Sequence, residues 1–243
     1  MDSSVIQTAL KVIYPPRCLT CSTLVDSDFG LCGSCWRETK FISGVICDAC
    51  GIPLMGDFDA GAFHCDECHR AKRPWLQGRA ALIYQGNGRR IVLGLKHADR
   101  QDIVGPASKW MAAVANEIVT PKTILVLIPL HWTRLLKRRY NQAALLAQGV
   151  ARELDLSCCP DALMRFKRTL PLDGMGRDQR VAHLSGSLMA HPKRRRHLIG
   201  RQVLLVDDVM TSGATLSAAA TACLDAGAAN VNILTLARVE KDA

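Results

Sequence analysis

Val203-Leu204-Leu205-Val206-Asp207-Asp208-Val209-Met210-Thr211-Ser212-Gly213-Ala214-Thr215 runs from an unbroken apolar segment through two adjacent carboxylates into a loop of small and hydroxyl side chains. The apolar run 203–206 predicts a strand buried on both faces, as in the interior of a parallel sheet. Leu216 to Ala226 is Ala-rich and stops at Gly227, which predicts a helix with a glycine end. Strand, acidic pair, loop and helix in that order form one unit of an α/β fold.

The chemistry of this junction follows from its residue types. Amides of a loop that opens a helix face outward, and the helix N-terminus adds partial positive charge, so Thr211, Ser212, Gly213, Ala214 and Thr215 suit a phosphate monoester. Gly213 lets the backbone approach closely. Asp207 and Asp208 would repel that phosphate, so they must face vicinal hydroxyls or a cation such as Mg²⁺. A ribose 5-phosphate carries both features. The loop lacks the Gly-Lys-Ser/Thr of a P-loop and the spacing of a Gly-x-Gly-x-x-Gly turn. An ordinary buried strand with a capped helix would explain the apolar run but not the acidic doublet at its end.

Further out, Thr123 to Ile128 is a second continuous apolar strand, ending in Pro129-Leu130-His131. Ligands gather at the carboxyl ends of parallel strands, so this loop and the acidic pair are expected to share a crevice. The segment Arg134 to Gln142 contains Arg138 and Arg139, and an Ala/Leu-rich helix follows to about Leu154. These cations could stabilise a departing polyanion or track a nucleic-acid backbone. Arg79 to Tyr84 predicts a strand, Gly86-Asn87-Gly88 a turn, Arg89 to Lys96 a helix, and Pro106 to about Val119 another. Val231 to Val239 reads as a last strand with Arg238 at its end. Residues 155 to 200 are less regular, and Arg165 to Thr169 with Gly174 to Arg180 read as a cationic flap. Cys158, Cys159 and Cys223 stand alone and read as buried or incidental thiols.

The other eight cysteines fall into four Cys-x-x-Cys knuckles: Cys18/Cys21, Cys32/Cys35, Cys47/Cys50 and Cys65/Cys68. A tetrahedral Zn²⁺ takes two knuckles, so the count predicts two complete four-cysteine sites. The spacing fits two consecutive ribbons and leaves a cross-braced pairing open. Disulfides are disfavoured without an export signal, and a thioredoxin-like motif would use one knuckle rather than four. With no open coordination position, both sites are expected to be structural, and a module this small needs its metal to fold. His64 and His69 flank the last knuckle and are expected to lie outside the ligand set. Pro74 marks the boundary, giving a Cys-rich module over 1–74 and an α/β domain over 75–243.

The formal charge of +9 conceals an asymmetry: residues 1–70 carry five Lys/Arg against nine Asp/Glu, and 71–243 carry twenty-six against thirteen. A basic larger domain suits a polyphosphate, nucleic acid, or both. For Lys193-Arg194-Arg195-Arg196 a solvated basic face is the plain alternative. Only three Tyr and five Phe are present, which argues against an aromatic platform for single strands. Val5 to Tyr14 is short, is interrupted by Gln7 and Lys11 and lacks a cleavage site, so a cytoplasmic location and no membrane span are expected.

The thirteen residues 203–215 resemble the phosphoribosyl-pyrophosphate (PRPP) motif of type I phosphoribosyltransferases. With the knuckles ahead of it, the chain resembles the ComF family of competence-associated proteins. The resemblance implies a type I phosphoribosyltransferase-like, mostly parallel sheet flanked by helices and preceded by a double zinc ribbon. It makes Asp207 and Asp208 the catalytic pair for the ribose hydroxyls and 211–215 the 5-phosphate loop. It gives Pro129, Leu130 and His131 to pyrophosphate, with Arg138, Arg139 and Lys96 as accompanying cations. A plain solvated lysine is the alternative for Lys96. The family pattern Arg-Gly-Phe-Asn-Gln appears here as Arg139-Tyr140-Asn141-Gln142 without its glycine, and Leu172 and His183 stand where the flap has Gln and Asn. Two functions follow from the resemblance. One is transfer or sensing of a 5-phosphoribosyl group with Mg²⁺ beside the structural Zn²⁺. The other is a non-catalytic accessory role in DNA uptake or processing, with single-stranded DNA or DNA-processing proteins as partners. A purely structural zinc adaptor leaves the acidic pair unexplained.

Overall fold

The computed structural model describes residues 15–25, 30–56, 61–97, 100–129, 141–165 and 187–240. In chain order these form helices α1 (Gly33–Glu38) and α2 (Asp66–Arg70), strand β1 (Gly78–Ile83), and helices α3 (Gly86–His97) and α4 (Val104–Ala115). Strand β2 (Thr123–Leu127), helix α5 (Gln142–Glu153) and short strands β3 (Ser157–Cys158), β4 (Leu163–Arg165) and β5 (Leu188–Ala190) follow. Strand β6 (Gln202–Met210), helix α6 (Ala214–Asp225) and strand β7 (Asn230–Arg238) complete the described order. Short 3-10 turns flank α4 on both sides.

Five strands form one parallel sheet in the order β1-β7-β6-β2-β3. Its central strands are apolar on both faces because both faces are covered. Leu125, Leu127, Leu204, Val206, Leu234 and Leu236 pack with α3, α4 and α5 on one side. Ile124, Val126, Val203, Leu205, Val231 and Ile233 pack with α6 on the other. The two-residue period of the strands thus divides one apolar run between two cores.

Three differences from the sequence expectation have physical causes. The strand expected over 203–206 continues through the acidic pair to Met210, because β7 pairs with it as far as Met210↔Arg238. On its other side the ladder with β2 ends at Leu127↔Val206, so a notch opens there beside the two carboxylates. The turn expected at Gly86-Asn87-Gly88 is the first turn of α3 instead. A Cβ at Gly88 would collide with the Ile83 carbonyl oxygen, so the helix starts this close to β1 only with glycine there. Finally, the less regular region supplies β3 at the sheet edge and an antiparallel β4–β5 ribbon.

Neither flank of residues 47–68 is a loose tether. Trp75 is 4% exposed and donates to the Ala49 carbonyl at 2.6 Å, and Leu76 N–H donates to Val231 O at 2.8 Å. Residues 40–42 run antiparallel along the outer edge of β1, with Ile42 N–H donating to Ala81 O and Ile83 N–H donating to Lys40 O, both at 2.9 Å. An edge that would otherwise expose unpaired amides is thereby covered.

Candidate functional site

The notch at the carboxyl end of β2 and β6 gathers the acidic pair, the 211–215 loop and Pro129. Ile128 N–H donates to Val206 O at 3.1 Å, which keeps Pro129 level with the acidic pair. Asn141 caps α5 by accepting from Ala143 N–H at 3.0 Å, and its Nδ2 donates to the Ile128 carbonyl at 3.2 Å. One side chain therefore fixes both the start of α5 and the end of β2. Leu130, His131, Arg138 and Arg139 lie outside the described residues, as does the flap segment beyond Arg165.

Asp208 is 9% exposed, and its N–H donates to Asp207 Oδ1 at 2.8 Å. Burial, and then the neighbouring Asp208 charge, push the Asp207 carboxyl up to about 7. The Lys96 ammonium and the Arg165 guanidinium pull in the opposite direction. Lys96 Nζ sits 2.9 Å from Asp208 Oδ1, with its side chain 19% exposed. It is neither a solvated lysine nor, in this state, a free phosphate ligand: it is the cation that the acidic pair requires. Arg165, expected in the flap, ends β4 and contributes to the same electrostatic environment.

Beyond Met210 the chain turns through Gly213, whose φ of 78° is left-handed, into α6. A side chain at Gly213 would also collide with Met210 Cε at 2.7 Å and press on Arg73 and Trp75 at 3.2 Å. Ser212 Oγ accepts from Ala214 N–H at 3.4 Å. Among the described residues, the N–H groups of Thr211, Ser212 and Gly213 have no acceptor. Three free amides at the opening of a twelve-residue helix are suited to an anion.

The cysteines form two groups, Cys18/Cys21/Cys32/Cys35 and Cys47/Cys50/Cys65/Cys68, with all sulfurs of a group within 4.8 Å of one another. This selects the consecutive pairing over the cross-braced one. Zn–S bonds of about 2.3 Å in a tetrahedron place sulfurs about 3.8 Å apart. The Cys21–Cys32 and Cys50–Cys65 separations are 3.6 and 3.7 Å, so the donor sets fit Zn²⁺ and exceed any S–S bond length. These are two four-cysteine zinc sites. His64 and His69 are exposed, stack edge to face with centroids 5.8 Å apart, and are not ligands. Cys158 and Cys223 are pushed up to about 11 and 12 by burial, as inert thiols should be.

Sequence reasoning missed two residues of the site, Arg73 and Arg238, which grip the loop carbonyls of Met210, Thr211 and Ser212 from behind. An arginine closing a strand buried almost throughout, as Arg238 closes β7, was the available signal.

Both parts of the chain have counterparts among known proteins. Residues 9–69 match a double zinc ribbon domain and residues 141–243 a phosphoribosyl transferase domain. The DNA utilization protein YhgH of Escherichia coli K12 is 26% identical over 92% of this chain and 97% of its own. Competence protein F of Haemophilus influenzae is 26% identical over 91% and 96%, and competence protein ComFC of Bacillus subtilis is 27% identical over 88% and 87%. Two solved structures, an allosteric regulatory enzyme of purine biosynthesis and a glutamine PRPP amidotransferase from B. subtilis, superpose with TM-scores of 0.39 at 18% and 16% identity. They cover 59% and 58% of this chain, which spans only 30% of each of theirs. Among the described residues no helix is long and apolar enough to cross a membrane. The chain thus carries a double zinc ribbon domain ahead of a phosphoribosyl transferase domain, and over most of its length it is similar to proteins that bear competence names.

Proposed function

We propose that the protein binds PRPP together with Mg²⁺ at the notch and transfers or senses its 5-phosphoribosyl group. The observation that carries this reading is the junction of an acidic pair, its Asp208 buried and held by Lys96, with three free amides at the start of α6. Asp207 and Asp208 would take the ribose hydroxyls, and Thr211, Ser212, Gly213, Ala214 and Thr215 the 5-phosphate. In a transfer step, positive charge would develop at C1 as pyrophosphate leaves, and the two carboxylates would stabilise it. Mg²⁺ arriving with the polyphosphate, together with Arg138 and Arg139, would neutralise the leaving group, and Pro129, Leu130 and His131 would line its path. Lys96 holds Asp208 before the ligand arrives and would be freed toward pyrophosphate by Mg²⁺.

Calorimetry with Mg²⁺-PRPP is the test, with native protein compared against the double variant Asp207→Asn/Asp208→Asn at matched zinc content. Native binding weakened at least a hundredfold in the variant supports the reading; equal binding removes it. A second reading, an accessory factor in DNA uptake or processing, is favoured by the names of the relatives and by the basic excess in residues 71–243. Retention of labelled single-stranded DNA by a protein that ignores PRPP would make it the leading one. In either role the protein is expected to act in the cytoplasm.

A further inference from the structure

Two buried arginines connect the second zinc site to the phosphate loop. The Arg73 side chain is 1% exposed, its Nε donates to Cys68 Sγ at 3.5 Å, and its Nη1 donates to the Ser212 carbonyl at 2.8 Å. Its Nη2 donates to Glu67 Oε1 at 3.1 Å, and its guanidinium carbon lies 5.5 Å from the Trp75 ring centroid. Arg238 is 1% exposed, and its Nη1 donates to the carbonyls of Met210 at 3.1 Å and Thr211 at 2.7 Å. Its Nη2 faces Cys50 Sγ at 4.0 Å. Each guanidinium thus spans from a zinc-ligand sulfur to the loop backbone.

Peptide planarity gives this span a consequence. In a trans peptide, the N–H of one residue points opposite to the carbonyl of the residue before it. Pulling the carbonyls of Met210, Thr211 and Ser212 toward the arginines therefore turns the amides of Thr211, Ser212 and Gly213 the other way. Those are the three amides left without an acceptor. A buried guanidinium also needs a counter-charge, and four thiolates around one Zn²⁺ leave a net formal charge of two minus beside two cations.

Resting on the phosphoribosyl reading of the loop, we propose that Arg73 and Arg238 are positioning residues through which the Cys47/Cys50/Cys65/Cys68 centre sets the anion affinity of residues 211–215. The first zinc site has no such connection among the described residues. By linkage, a ligand on the loop must perturb the second metal centre as that centre conditions the loop.

The test uses the full chain with both sites loaded, ribose 5-phosphate as probe, and the variants Arg73→Lys and Arg238→Lys, which keep the charge and lose the fork. At an unchanged content of two metals, each variant is expected to bind the probe at least tenfold more weakly. In a Co²⁺-substituted native protein, the thiolate–cobalt bands are expected to shift along the same binding curve, and less in either variant. Native binding that both lysine variants keep within twofold overturns the proposal alone. Cobalt bands that stay still while native protein saturates also overturn it, even if a variant fails to fold. Absence of probe binding by native protein overturns the phosphoribosyl reading, and this inference with it.

Discussion

The two zinc ribbons have the same ligands and sit on opposite faces of the same sheet, yet they are wired differently. The first joins the core formed by α3, α4 and α5 through Cys18, Leu19, Leu31 and Cys35. Its outer surface meets α4 in an aromatic cluster, with Trp36 and Phe41 centroids 4.4 Å apart and Phe41 edge-on to Trp110 at 5.4 Å. Gly30, with φ of 78°, brings this ribbon so close that a Cβ would lie 2.7 Å from Pro106. The second ribbon joins the α6 side and contacts β1 through Asp48, which accepts from Gln77 and Arg79. Its sulfurs face Arg73 and Arg238, which donate to the carbonyls of Met210, Thr211 and Ser212. Both ribbons pack on apolar cores, but only the second is also joined, among the described residues, by arginine hydrogen bonds to the loop that follows β6. Identical coordination chemistry therefore need not mean identical roles.

The strongest way to break this contrast is to remove one site at a time. Cys47→Ser/Cys50→Ser and Cys18→Ser/Cys21→Ser are each expected to halve the zinc content. The first pair should weaken Mg²⁺-PRPP binding by at least tenfold, while the second leaves it within about threefold, as read by calorimetry. Equal losses would make the ribbons equivalent. Next in size, Trp110→Ala should destabilise the first ribbon's attachment by roughly 3–5 kcal/mol, seen as a melting shift on the order of 10 °C, without changing affinity at 25 °C.

A pH experiment sharpens the other side of the comparison. The Asp207 carboxyl titrates near 7 when folded and near 3.8 when free, so it favours folding below about pH 4 and withdraws that support as pH rises through 7. Asp207→Asn removes the ionisation and is expected to melt higher than native protein at pH 8, by on the order of 2–4 kcal/mol, with the gap closing toward pH 4. A pH-independent gap would mean that the carboxyl is already ionised in the fold. The smallest effect is chemical. Cys158 and Cys223, pushed up by burial, should alkylate about a hundredfold more slowly than a free cysteine at pH 8. On chelation, exposed Cys21 should then label before buried Cys47 and Cys50, as mass spectrometry can follow.

Local sequence carried much of this protein. The apolar runs of β2, β6 and β7, the acidic pair, the glycine stop at Gly227 and the four knuckles were legible because each depends on neighbours within a few residues. Three features were not. The pairing of knuckles needed the sulfurs brought together in space. The partner of Lys96 needed α3 laid across the end of β6, which unites residues 112 apart in the chain. The continuation of β6 past its carboxylates needed β7 alongside, since a ladder is a property of two strands. Arg73 and Arg238 illustrate the reason most sharply. In sequence they are an arginine beside a proline and an arginine at a strand end, 165 positions apart. Only the packing of the second ribbon against the α6 face gives both a thiolate on one side and a loop carbonyl on the other, because burying a charge is tolerable only where the fold supplies its partners.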